Sequence, residues 1–166
     1  METSTVSEGN TPKPLPEPEI ILLPATKVTG KRMSMSLSVN RTRELWQSFM
    51  PLRNSIPGRK GPELYSVQVY DPSYFMHFDP EAQFEKWAAA EVDGVSDIPA
   101  GMELLTIPAG LYAVFLYKGR ASAGHVAFNY IFTVWLPASG YLLDDRPHFE
   151  KLGERYKNAD PGSEEE

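Results

Sequence analysis

Between Lys27 and Val39 the chain alternates, with Met33, Met35, Leu37 and Val39 on one side and Ser34, Ser36 and Ser38 on the other. That period of two predicts a half-buried strand. Asn40 follows as a candidate N-cap, and Leu45, Trp46, Phe49 and Leu52 then recur at helical spacing, with Pro51 bending or ending the helix. IPGRKGPE reads as loop, and LYSVQVY as a strand stopped by Asp71 and Pro72. MELLTIPAGLYAVFLYKG predicts two strands around Pro108, Ala109 and Gly110. Ser122 is placed to cap a helix whose apolar stripe is Val126, Tyr130, Ile131, Val134 and Trp135, closing at Pro137. RPHFEKL is a short strand.

One segment carries two patterns. DPEAQFEKWAAAEVDG has Asp79 as N-cap, Pro80 at the first helical position, an Ala-rich middle and Gly94 as a stop, so local propensity predicts a helix. The same residues also allow a strand over 84–92, with Trp87, Ala89 and Glu91 on one face. The halves of the chain share an order of strand, capped helix ending in an aromatic and a proline, then strand. FEKW and FEKL at 84–87 and 149–152 also match, but at an offset that the two helices do not share, and we read that match as chance.

Residues 1–19 are rich in Ser, Thr, Pro and Glu and nearly devoid of apolar side chains, so they read as a disordered N-terminal segment, with one domain over 20–166. The pseudo-repeats fall at about 20–95 and 102–166. At 166 residues the chain suits one sizeable core. No apolar run is long enough for a membrane-spanning helix, and the N-terminus lacks the basic and apolar succession of a secretory signal, so a cytoplasmic protein with no membrane contact is expected. There is no cysteine, which excludes disulfides and thiolate chemistry. The net charge of −6 resides in residues 1–19 and 154–166, leaving a neutral middle with no basic face. Direct nucleic-acid binding is therefore not expected.

The chemistry-bearing residues are few. Within IFTVWLPASGYLLDDRPHFE an apolar segment ends on a carboxylate, Glu150. It is either a solvated strand-end side chain beside Lys151 or an acid held in an apolar place, where it must raise its pKa or meet a cation. Trp46, Trp87, Trp135, Tyr112 and Tyr130 sit on predicted inward faces, as plain core or as walls of a ligand site. His77, His125 and His148 have no second ligand at metal-binding spacing, and Asp144 and Asp145 read as a solvated turn, so no metal site is expected. Phosphate-binding loops and nucleophile elbows are absent.

IPAGLYAVFLYKG, followed by a helix into VWLPASGY and then DDRPHFE, resembles the gyrase-inhibitory-protein-like family, related to the effector-binding domains of AraC-type and MerR-type transcription regulators. LWQSFM, YSVQVYD and FEKWAAAEV fit it too, so the likeness covers about residues 25–166. The resemblance implies an α+β fold of duplicated strand-helix-strand-strand units, whose antiparallel sheets and two main helices enclose a central cleft. It places FEKWAAAEV as a strand, against propensity. It also matches Glu150 to an acidic residue that lies inside the pocket of members binding lipophilic cations. The implied function is a stand-alone effector- or drug-binding protein, with Glu150, Trp46, Trp87, Tyr112, Tyr130 and Trp135 as ligand contacts and no cofactor. Two alternatives stand beside it. One is a hydrolase of strained electrophiles with Glu150 as general base and Tyr112 orienting the ligand; the other is a protein-protein module inhibiting gyrase or another partner. Two departures from the family are expected: no helix-turn-helix segment precedes the domain, and the usual final strand is missing or supplied otherwise.

Overall fold

The computed structural model describes residues 15–118, 124–153 and 164–165. Its strands are β1 (Glu19–Leu23), β2 (Thr26–Met35), β3 (Arg59–Val69), β4 (Phe84–Val92), β5 (Glu103–Ile107), β6 (Gly110–Val114), β7 (Tyr117–Lys118), β8 (His148–Leu152) and β9 (Glu164–Glu165). Helix α1 is Thr42–Phe49. A second helical stretch, 124–139, runs through α2 (Gly124–Tyr130), a π turn (Ile131–Trp135) and α3 (Leu136–Ser139). The five-stranded sheet has the order β5-β2-β4-β3-β8, and β1–β6 and β7–β9 form two further pairs, all antiparallel. The order strand, helix, strand, strand occurs twice, as β2-α1-β3-β4 and as β7, helix 124–139, β8 and β9. This is the α+β arrangement of antiparallel sheets and two helices that the family resemblance implied.

β4 explains why the sheet takes the Ala-rich segment that propensity assigns to a helix. It is bonded on one side to β2 and on the other to β3, and it is covered on both faces. Ala88, Ala90 and Val92 lie under Leu45 and Phe49 of α1, together with Met35 and Ile56. Trp87 and Ala89 join Val28, Tyr65, Val67 and Ile107 on the opposite face. Successive strand residues point to opposite faces, so small residues let both layers approach one strand. A Cβ at Gly30, opposite Ala89, would collide with the backbone of Ala88 and Ala89. Burial of this kind overrides a propensity difference worth a few tenths of a kcal/mol per residue.

Several boundaries differ from the sequence pattern. β2 ends at Met35, so Leu37 and Val39 are exposed instead of continuing the inward row. The chain turns there because Ser36 N donates to Val39 O and Val39 N donates to Ser36 Oγ. Asn40 Oδ1 accepts from Thr42 N at 2.9 Å one residue ahead of the N-cap position, which Arg41 occupies. α1 gives way at Met50 to a 3-10 turn that holds Pro51, and Leu52 stays exposed. β3 starts at Arg59, within the expected loop, and breaks register before Leu64. Helix 124–139 passes through Pro137 and stops at Gly140, whose φ of 79° closes it. Glu164–Glu165 pairs with Tyr117–Lys118, where the final strand was expected to be missing or supplied otherwise. Most of the segment read as disordered, 1–14, lies outside the described residues, as does Ser122. Leu15, however, is buried, and β1 already begins at Glu19.

Candidate functional site

A cavity of about 940 Å³ lies between the β1–β6 pair, helix 124–139 and the edge strand β8. The helix lines it with Ala127, Phe128, Ile131, Phe132, Trp135 and Leu136. These positions recur every four residues. A regular helix would let such rows drift by about 40° per step, and the wider π turn at Ile131–Trp135 takes up the difference. The stripe expected from uniform periodicity is thereby displaced. Val126 and Val134 are exposed, and Tyr130 is half-buried without lining the cavity.

β8 divides the site. In its register with β3, Phe149 pairs with Val67 and Lys151 with Tyr65, whereas His148 pairs with Gln68 and Glu150 with Ser66. Phe149 and Lys151 thus share one face and His148 and Glu150 the other, and all four line the cavity. On the first face Phe149 stacks on Tyr65 at 5.9 Å and meets Tyr112 edge-on at 5.7 Å. Arg146 lies over the Tyr112 ring, 4.5 Å from its centroid, and donates to Leu111 O at 2.9 Å.

On the second face Glu150 Oε2 accepts from Gln68 Nε2 at 3.0 Å, and the same amide donates to Ser66 Oγ at 3.1 Å. Protein surrounds the carboxyl group although the cavity leaves the residue as a whole partly open. This desolvation pushes its pKa above the usual carboxylate range, against the hydrogen bond from Gln68 and the charge of Lys86. His148 stacks between Phe75 at 5.4 Å and Phe132 at 5.5 Å, and burial lowers its pKa to about 4, so it is a neutral aromatic wall at physiological pH. Tyr70 packs on His148 at 5.1 Å, and burial first, then the Glu150 charge, pushes its hydroxyl up.

Of the six expected contacts, Glu150, Tyr112 and Trp135 come together at the cavity; Trp46, Trp87 and Tyr130 do not line it. Trp46 is on α1, edge-on to Phe49 at 5.8 Å, and packs on the core cluster across the sheet. Trp87 is buried among Val28, Tyr65 and Val67, with Nε1 donating to Glu85 Oε1 at 2.7 Å. Phe132, Phe149, His148, Arg146 and Gln68 were missed. The alternation in RPHFEKL pairs His148 with Glu150 and Phe149 with Lys151, and it was the available signal for His148 and Phe149. Among the described residues no group of His, Asp and Glu could hold a metal ion, and no helix is long and apolar enough to cross a membrane.

Comparison with known proteins agrees with this fold. The chain is 29% identical over 147 residues to the transcriptional regulator BrlR of Pseudomonas aeruginosa, covering 87% of this chain and 52% of BrlR, so it spans about half of that relative. The fold is similar to that of the EcmrR C-terminal domain (TM-score 0.62, 18% identity, 90% of this chain and 91% of that one). It is also similar to SAV2435, solved bound to tetraphenylphosphonium (TM-score 0.60, 14% identity, 90% and 91%). A Vibrio cholerae integron cassette protein aligns over 91% of this chain and 94% of its own with a TM-score of 0.63 and 14% identity. Residues 16–165 match the GyrI-like small molecule binding domain, and the chain belongs to that family.

Proposed function

We propose that this domain captures lipophilic aromatic cations in the cavity, with Glu150 as counter-charge and Phe132, Trp135, Tyr112 and Phe149 as walls. The observation that carries this reading is a carboxylate in an aromatic cavity whose hydrogen-bond donors, Gln68 and Ser66, are neutral. Burial penalises the ionised form more than Gln68, Ser66 and the charge of Lys86 relieve it, and a ligand cation would add to their support. Aromatic faces would add about 0.5–2 kcal/mol per cation contact. That SAV2435 was solved with tetraphenylphosphonium makes a bulky organic cation a reasonable ligand class here.

The test is calorimetric titration with tetraphenylphosphonium and with tetraphenylborate, which has the same shape and the opposite charge. Binding of the cation alone, weakened about tenfold or more by Glu150→Gln, is expected, since a hydrogen-bonded or paired charge is worth about 1.5–3 kcal/mol. Equal binding of both ions, or cation binding indifferent to Glu150→Gln, would overturn the reading.

A further inference from the structure

The cavity carries charge of both signs, and the two signs are sorted. Glu150 projects from one face of β8. From the other face, beside Phe149, projects Lys151, and Arg146 sits on the same side over Tyr112. An arginine on an aromatic wall would repel a second cation arriving there, so a purely cationic ligand makes poor use of this half of the space.

Arg146 is also held in place. Nη2 donates to the Leu111 carbonyl, and Nε pairs with Asp144 Oδ2 at 3.0 Å. A Cβ at Gly110 would run into its guanidinium, so the glycine of the Pro108-Ala109-Gly110 turn makes the room in which it lies. The Asp144 side chain is 67% exposed and that of Arg146 only 21%. The carboxylate therefore approaches from the solvent side, and a pair with one partner so open to water is weak. A guanidinium carries five N–H donors, and its planar fork matches a carboxylate.

We infer that the cavity is built for amphoteric aromatic ligands, with the cationic part at Glu150 and a carboxylate or comparable anionic oxygen group at Arg146 and Lys151. This rests on the proposed function for its Glu150 half and goes beyond it in naming the second pole. The ligand lies across the outer edge of β8, with its ring system against Phe132 on one side and Phe149 and Tyr112 on the other.

A matched pair of dyes separates the two claims. Rhodamine 6G is a xanthylium cation carrying an ethyl ester, and the corresponding free acid is the same chromophore as a zwitterion. Fluorescence titration of the native protein is expected to show the acid binding about tenfold tighter, the scale of one charge-assisted hydrogen bond. Arg146→Gln and Lys151→Gln should each reduce that preference by weakening the acid more than the ester, while Glu150→Gln should weaken both dyes. An ester bound through Glu150 with no preference for the acid would overturn this inference and leave the proposed function standing. So would a preference untouched by both basic-residue variants. Failure of both dyes to bind would count against both readings. The decisive ratio is read on the native protein, so a variant that fails to fold does not obscure it.

Discussion

The Gln68 side-chain amide joins Ser66 to Glu150 across the β3–β8 seam, donating at 3.1 Å to one and 3.0 Å to the other. Gln68 is only 5% exposed, and its own Oε1 meets no partner among the described residues. The amide is thus committed to holding a carboxylate that burial would otherwise protonate. Gln68→Met should push the Glu150 pKa further up. A group whose folded pKa lies above its unfolded value costs stability as pH rises past the unfolded value. The variant is therefore expected to lose about 1–3 kcal/mol at about pH 8 and less at about pH 5, where Glu150 can take a proton. Urea titrations at the two pH values check this; an equal loss at both would show that the amide serves packing alone.

His148 works with the opposite sign. Its pKa falls from 6.5 to about 4 on burial, so between those values the unfolded chain holds a proton that the folded one refuses. Stability must then fall on acidification, by about 2 kcal/mol between about pH 7.5 and about pH 5. His148→Phe keeps the stacked ring and removes the titration. Its unfolding free energy should lose that much less over the same interval than the native protein's, measured by the same titrations.

The placement of the tryptophans separates binding from packing. Trp135→Ala and Phe132→Ala should weaken tetraphenylphosphonium binding about threefold to thirtyfold, the range of one cation–π contact. Trp46→Ala should leave affinity unchanged and lower stability, since that ring packs on the core under α1. Titration calorimetry alongside thermal unfolding distinguishes these outcomes, and a loss of affinity in Trp46→Ala would contradict the cavity's boundaries.

Gly110→Ala offers a test that leaves Arg146 itself intact. The added methyl group would displace the guanidinium from Tyr112, at an overpacking cost of about 1–3 kcal/mol. The preference for the free-acid dye should drop toward that of Arg146→Gln. An unchanged preference would mean that Arg146 reaches the ligand without its seat on the ring.

The sequence was most legible where one face of an element is buried and one is not. Met33 and Met35, Leu45 and Phe49, and the strand character of 148–152 follow from period alone. Period did not decide β4: it allowed a strand over 84–92, but a segment buried on both faces gives little contrast between them, and propensity favoured a helix. Period failed past Ile131, because a π turn changes the phase without leaving a residue-type signature. Trp46 and Trp87 were placed on inward faces, and inward they are; a sequence does not say which of two cores an inward face serves. Arg146 escaped notice because a charged residue beside a proline reads as loop, and only the folded chain sets it over Tyr112.

β8 is bonded to β3 on one side and is the outermost strand of its sheet among the described residues. An edge strand leaves a row of backbone groups without ladder partners. Those of β8 belong to the strand that also carries Glu150, Phe149 and Lys151 into the cavity. The outward amides of this strand should therefore trade hydrogen for deuterium quickly in the empty protein and slow down when the cavity is filled. Occupancy would then be readable from the exchange of the outward amides within His148–Leu152, without a label and without knowing the ligand.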